Sequence, residues 1–427
     1  MPNRGFISKG GGLILRYLIL GSSAAAIAAV ETLLWKCPKD EIIMVSADEV
    51  IHSRCMLHHY LAYERDAESL NFVKRNFLKQ DNLKCMMNTR ALSVDTHEQV
   101  VNFENINITY DKLLIATGTN NFIPDIEGLK TAPNVYTLGN LKDATVIRSA
   151  LKEAQSVVVI GSGLIGMDIT QGIIQSGVSV SVHVIEAESH IIPKQLDANI
   201  ASNFQKAFEK EGVKFHLGKK VMAVELDKDK IITALKLDCG SIIPCDMIIV
   251  AAGTRPNICF LENSDIEIDN GIKIDNYLQT SNEHIYAAGD VTGIAANWYA
   301  AVKQGRIAGN NMAGNKKIEY TDEFHMTNTI NLCKMAVASI GKVNPPFDDF
   351  DVFDRVSNGK YLKLVIKDGL VKGALLFGDI SHAGHWKYII ENAVPIDSIN
   401  KSPLSIEYAD FFEIDTYTAE FKYNLNY

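Results

Sequence analysis

The sequence of 427 residues has no Cys-x-x-Cys pair, and its seven cysteines (Cys37, Cys55, Cys85, Cys239, Cys245, Cys259, Cys333) are odd in number and scattered. That distribution fits neither a disulfide framework nor a zinc cluster; Cys239 and Cys245, six apart with no second pair beside them, read as separate thiols. Positive charge is also in deficit, with 42 Lys and Arg against 51 Asp and Glu and a net charge of -9. Such a chain has no general attraction to nucleic acid or to acidic membranes. A long apolar run is missing too, because the stretch Leu13 to Leu34 is interrupted by Arg16, by the Gly21-Ser22-Ser23 turn and by Glu31. It reads as strand, turn and helix, not as a membrane span or a secretory signal. Low-complexity segments and long linkers are absent. What remains, 47% hydrophobic and 22% charged, is the composition of an acidic folded protein with material for two or three domains, expected in the cytoplasm.

Short β-rich runs alternate with helical ones from the start: Tyr17 to Leu20, Ala24 to Leu34, Ile42 to Val45, then Tyr110 to Ala116 before Thr117-Gly118. This order predicts a parallel sheet with crossover helices. A second unit of the same kind begins near Pro133, with strand Ser156 to Ile160, helix Leu164 to Gln175, strand Val178 to Ile185, helix Ala198 to Glu211 and strands up to Val250. The repeat lies in topology and turn chemistry, which points to two nested Rossmann-like dinucleotide-binding domains in an α/β chain. The first would span 13–132 and 251–318 and the second 133–250. Beyond Gly314, runs such as Tyr361 to Ile366 and Leu370 to Phe377, with a helix at His385 to Asn392, predict a C-terminal α+β domain over 319–427.

In Gly161-Ser162-Gly163-Leu164-Ile165-Gly166 the three glycines stand where a tight turn, approach to a pyrophosphate and close helix packing each exclude a β-carbon. A strand precedes this turn and a helix follows it, which is the context the motif requires. Glu186 ends the next strand, where an acid hydrogen-bonds a ribose 2′-hydroxyl and repels a 2′-phosphate. NADH is therefore expected in preference to NADPH. The first turn, Gly21-Ser22-Ser23-Ala24-Ala25-Ala26, keeps one glycine and replaces the other two with small residues, so a pyrophosphate is still admitted although Ser23 crowds it.

Four further segments, HSRCMLHHYL (His52 to Leu61), YDKLLIATG (Tyr110 to Gly118), IIVAAGTRPN (Ile248 to Asn257) and HIYAAGDVTG (His284 to Gly293), extend the pattern. With the two turns they make nearly the whole chain resemble the pyridine nucleotide-dependent flavoprotein reductases, the group of NADH oxidases, NADH peroxidases, coenzyme A-disulfide reductases and rubredoxin or ferredoxin reductases. The resemblance implies FAD in the first domain. It assigns the flavin ribityl chain to Asp290 after Gly289, places Thr117 and Gly118 close to FAD with Gly21, Ser23 and Ala24, and sets Arg54 by the FAD phosphates. Glu49, with Asp48 adjoining it, is the expected acid for the adenosine ribose, and Gly253 marks the return from the NADH domain. The run LLFGDISHAGHWKYII resembles the interface domain of the family, which implies a homodimer.

The resemblance also aligns Cys55 with the single redox-active cysteine of the coenzyme A-disulfide reductase and NADH peroxidase branch, while the Ser53-Arg54 before it is similar to the branch that has Pro there. A thiolate at Cys55 near the flavin could form a mixed disulfide or a sulfenic acid; a buried structural thiol is the plain alternative. His52, His58 and His59 around it are either proton donors or solvated side chains. Ala24 stands where the peroxidase branch has a His, which weakens a peroxide-reducing role. The expected activity is hydride transfer from NADH to FAD and onward to a small disulfide, to oxygen or to a redox protein such as rubredoxin. A non-catalytic FAD- and NADH-binding sensor or assembly protein is the alternative.

Overall fold

The run Arg16–Leu20 is apolar at nearly every position, which suits a strand covered on both faces. In the computed structural model it is the middle of a five-stranded parallel sheet. Its order is Ile285–Ala287, Lys112–Ile115, Arg16–Leu20, Glu41–Val45 and Leu83–Met86. The structure describes residues 6–7 and 13–423 except 295–296, 315–316, 322–326, 346–348, 398, 400 and 416. The remainder of the leader before Leu13 and the last four residues of the tail lie outside the described residues. A second parallel sheet runs Val135–Thr137, Met247–Val250, Ser156–Ile160, Ser181–Glu186 and Lys214–Leu217. One strand of the first sheet thus arrives after the whole second sheet has been built, as nesting requires. Gly21 N donates to Val45 O and Gly161 N to Ile185 O, each at 2.8 Å. The two turns therefore occupy the same point in their sheets, and Ser46 stands where Glu186 stands in the second.

Helices Ala24–Lys36 and Trp298–Ala313 cross with almost nothing between them. A β-carbon on Gly305 would lie 2.1 Å from the carbonyl oxygen of Ala25, and one on Gly309 2.8 Å from that of Ala29. Glycines four apart on one helix meet alanines four apart on the other, so the backbones approach directly. Ala25, read above as part of a small-residue turn, belongs with Ala29 to this crossing. Among the described residues no helix is long and apolar enough to cross a membrane.

The third sheet is antiparallel, ordered Thr327–Leu332, Met335–Gly341, Leu370–Phe377, Lys360–Lys367 and Asp351–Ser357. One face buries Tyr361 and Leu375 against Phe204 and Phe208 of the second unit. The other is covered by helix Ala383–Glu391, which begins two residues before the expected start, through Trp386, Ile389 and Ile390. Asp197 fastens the first of these faces. Its Oδ1 accepts from Ile200 N at 3.0 Å, capping helix Ala198–Lys210, while its Oδ2 accepts from Tyr361 Oη at 2.9 Å and from Lys363 Nζ at 3.4 Å.

Asp197→Ala removes the cap and leaves Lys363 without its carboxylate, and is expected to lower unfolding free energy by about 2 kcal/mol in a urea titration. Asp197→Asn keeps an acceptor for the cap and should lose less.

Candidate functional site

A cavity of about 390 Å³ opens at the carboxyl end of the first sheet. Gly21, Ser23 and Ala24, Asp48, Arg54, Thr117, Gly118, Gly289 and Asp290 all line it, although they come from five separate segments. Most of the residues the sequence reading assigned to FAD are thus brought together. Glu49 is not; it is exposed, and the cavity wall takes Asp48 instead. The chain turns outward after Val45, so the first acid past the strand faces inward and the second faces solvent.

The cradles fit a dinucleotide on two observations. At Gly21 and Gly161, both at positive φ, a β-carbon would lie 2.3 Å from Ala116 O and 2.4 Å from Ala251 O, so neither turn admits a side chain. At Gly163, by contrast, no heavy atom lies within 4 Å of that position, so the space in front of the helix is open. The helices behind the turns, Ala24–Lys36 and Leu164–Gln175, also start without a side-chain cap. Those starting after Asn140, Asp197 and Asn297 are each capped by that residue. Unsatisfied first-turn N–H groups and the positive end of the helix dipole are what a pyrophosphate needs.

The two strand ends then differ. Glu186 Oε2 accepts from Ser162 N at 2.7 Å and Ser162 Oγ at 2.8 Å, and its Oε1 accepts from Glu188 N at 2.9 Å. The carboxylate is thereby fixed at the rim of the second cradle. In the first, Ser46 Oγ and Ser22 Oγ share a buried hydrogen bond of 2.7 Å, so a hydroxyl occupies the place of the acid. Asp48, two residues on, donates its backbone N–H to Ser46 Oγ at 3.1 Å; its Oδ2 accepts from Arg54 Nη2 at 3.0 Å, while Arg54 Nη1 donates to Gly139 O. The sequence reading missed Ser46, whose signal is its register with Glu186.

Asp290 is half-buried in the cavity wall, and desolvation of its carboxyl pushes it from 3.8 up to about 6 against the opposing influence of Arg54. It does not cap the following helix; that helix begins at Trp298, where Asn297 Oδ1 accepts from Ala300 N at 2.9 Å. Its carboxylate stays available to hydroxyl donors in the cavity. Thr117 Oγ1 donates to Asn257 O, and Asn257 N donates to Gly118 O, both at 2.9 Å, which closes the wall where the chain returns from the second unit. Gly253, at φ +107°, lies just before this return and accepts from Phe122 N at 2.9 Å.

Cys55 is exposed in the turn Arg54–Met56. Desolvation of the thiol, then the carboxylates of Asp168 and Asp290, push its pKa up, so the thiol is favoured over the thiolate. The three histidines do not supply the opposite effect. His52 is buried, with Nε2 accepting from Leu141 N at 3.2 Å and its pKa lowered by burial. His59 pairs with Glu64 at 2.5 Å. His58 Nδ1 lies 3.8 Å from Asp168 Oδ2, with burial holding His58 down to about 4 and raising Asp168 to about 7. Asp168 was missed; it follows Gly166 by two residues and meets Cys55 only through the packing of helix Leu57–Leu61 on Leu164–Gln175.

Residues 15–305 match the family described as pyridine nucleotide-disulphide oxidoreductase, and residues 327–394 match the rubredoxin NAD+ reductase C-terminal domain. The chain belongs to the pyridine nucleotide-disulphide oxidoreductase family. It is a NAD(P)H-dependent flavoprotein oxidoreductase whose cofactors are FAD and NADH. It is 28% identical to the nitrite reductase [NAD(P)H] of Bacillus subtilis over 91% of this chain and 49% of that protein, so it spans about half the length of that relative. With the NADH-rubredoxin oxidoreductase of Clostridium acetobutylicum it shares 25% identity over 90% of this chain and 97% of the relative. The solved structure of a NAD-dependent persulfide reductase from A. fulgidus is 27% identical, with a TM-score of 0.81 over 90% of this chain and 78% of that one.

Substitutions at Asp290, Gly163 and Gly161 have distinct expected outcomes in this flavoprotein. Because the folded pKa of Asp290 is raised from 3.8 to about 6, its contribution to stability is full below pH 3.8 and is lost as pH rises through 6. Asp290→Asn should therefore raise the melting temperature of flavin-stripped protein above pH 6 while weakening FAD binding, and the wild-type affinity for FAD should rise with pH through that value. Gly163→Ala should leave the melting temperature within about 2 °C but weaken NADH at least about tenfold by calorimetry. Gly161→Ala, with its β-carbon on a carbonyl oxygen, should cost about 3 kcal/mol of stability.

Proposed function

We propose that this flavoprotein draws a hydride from NADH at the second cradle and delivers electrons to a small redox protein, in the manner of a rubredoxin reductase. Two uncapped helix ends behind glycine turns, one rimmed by Glu186 and the other facing Asp290, carry the reading. The division of labour follows: residues 13–132 with 251–318 hold FAD, 133–250 hold NADH, and 319–427 form an interface domain through which the chain pairs as a homodimer. The expected compartment is the cytoplasm.

When bound, NADH supplies the hydride and FAD relays its electrons. Glu186 accepts the ribose hydroxyls of NADH and repels a 2′-phosphate. Asp290 holds ribityl hydroxyls, Thr117 and Gly118 keep the wall closed to water, and Arg54 turns from Asp48 toward the phosphates, leaving Asp48 for the adenosine ribose. The match of the C-terminal domain to that of rubredoxin reductases, with the Cys55 pKa pushed up by desolvation and then by Asp168 and Asp290, supports a protein acceptor. Cys55 as a redox-active cysteine toward a small disulfide is the second reading, favoured by its exposure near Asp290.

Purified protein should be yellow and bleach anaerobically with NADH at far lower concentration than with NADPH; flavin that stays oxidised would support the sensor alternative and sink the enzyme reading. Turnover with rubredoxin should exceed that with oxygen or coenzyme A disulfide and be unchanged by Cys55→Ser. Loss of disulfide turnover alone in that variant would establish the second reading.

A further inference from the structure

Strand Asp351–Ser357 is the outer edge of the C-terminal sheet, paired on one side with Lys360–Lys367 and, among the described residues, with no strand on the other. All seven of its residues are exposed, and Val352, Phe353 and Val356 are 48%, 36% and 73% exposed. An edge of this length with unpaired backbone groups is a template for another strand. Its sequence specifies which strand. Asp351, Phe353 and Arg355 point to one face, opposite Ile366, Leu364 and Leu362 of the neighbouring strand, and Val352, Asp354 and Val356 point to the other. Among the described residues neither Asp351 nor Arg355 is ion-paired.

We propose that this edge is where two copies of the chain join, their Asp351–Ser357 strands running antiparallel about a two-fold axis at Phe353, so that two five-stranded sheets become one. In that register each Asp351 stands opposite the other copy's Arg355, the two Phe353 rings meet, and each Val356 stands opposite Phe350. Directly opposed residues share a face of the sheet, so both ion pairs flank the aromatic pair on one side. Centring the axis on Asp354 sets carboxylate against carboxylate, and centring it on Arg355 sets guanidinium against guanidinium. Centring it on Val352 places Asp351 against Phe353. The Phe353 register alone matches both charges, and it is isologous, so the assembly closes at two copies.

The inference rests on the homodimer reading, and one experiment separates the two. Sedimentation velocity of the full-length flavoprotein, across a concentration series, should give a monomer-dimer equilibrium. Arg355→Asp places two like-charged pairs in the interface and should raise the dissociation constant at least about tenfold, and the swap Asp351→Arg with Arg355→Asp should restore it to within about threefold. Both positions are exposed on the edge of the C-terminal sheet and neither lines the cradle cavity, so flavin content and bleaching by NADH should stay unchanged in the variants, which verifies folding. Wild-type protein that remains monomeric to about 100 µM overturns both the edge and the homodimer. A dimer indifferent to Arg355→Asp, or one that the double swap fails to restore, overturns the edge alone.

Discussion

The fold depends on two helices that come together without side chains between them. Ala24–Lys36 and Trp298–Ala313 lie at opposite ends of the first fold in sequence, yet Gly305 and Gly309 rest on the backbone of Ala25 and Ala29. Every larger residue at these four places would push the later helix off the first. The cavity depends on that closeness, because Ala25 and Ala301 form part of its wall and Gln304 Oε1 accepts from Gly289 N at 2.6 Å, holding the Gly289-Asp290 corner in place. The excursion through the second sheet is tolerated because this contact returns the chain to its starting layer.

Within that frame, the two dinucleotide cradles solve the same problem with different chemistry. Each leaves a helix start uncapped and shapes the turn before it so that no β-carbon intrudes. The second adds a carboxylate in Glu186, fixed at its rim by Ser162 and Glu188 N. The first has the neutral Ser22 and Ser46 pair at that point and sets its negative charge elsewhere, in Asp48 beside a guanidinium and in Asp290 deep in the wall. A half-buried carboxylate with a pKa of about 6 costs stability at neutral pH, as residues shaped for a ligand often do.

What was legible in the sequence follows from what is local. The strands Ser156–Ile160 and Leu370–Phe377 and the helix Leu164–Gln175 were readable to the residue because continuous apolar runs and a glycine turn mark their limits. The place of Glu186 at a strand end was readable because the apolar run before it stops there. Asp48 and Glu49 were not separable, since the curvature after Val45 is set by tertiary packing. The surroundings of Cys55 were also hidden, because the carboxylates that suppress its ionisation come from positions 168 and 290, far along the chain. That Asp290 leaves the cap of the following helix to Asn297 was not legible, since the helix starts eight residues further on.

Arg54 touches both folds. It holds Asp48 in the wall of the first cavity and the carbonyl of Gly139 at the entrance to the second unit. A ligand that draws the guanidinium away from either partner alters the anchorage of the other. Filling one cradle and positioning the other are then parts of a single equilibrium, and by thermodynamic reciprocity whatever FAD does to the binding of the nicotinamide, the nicotinamide does in equal measure to FAD.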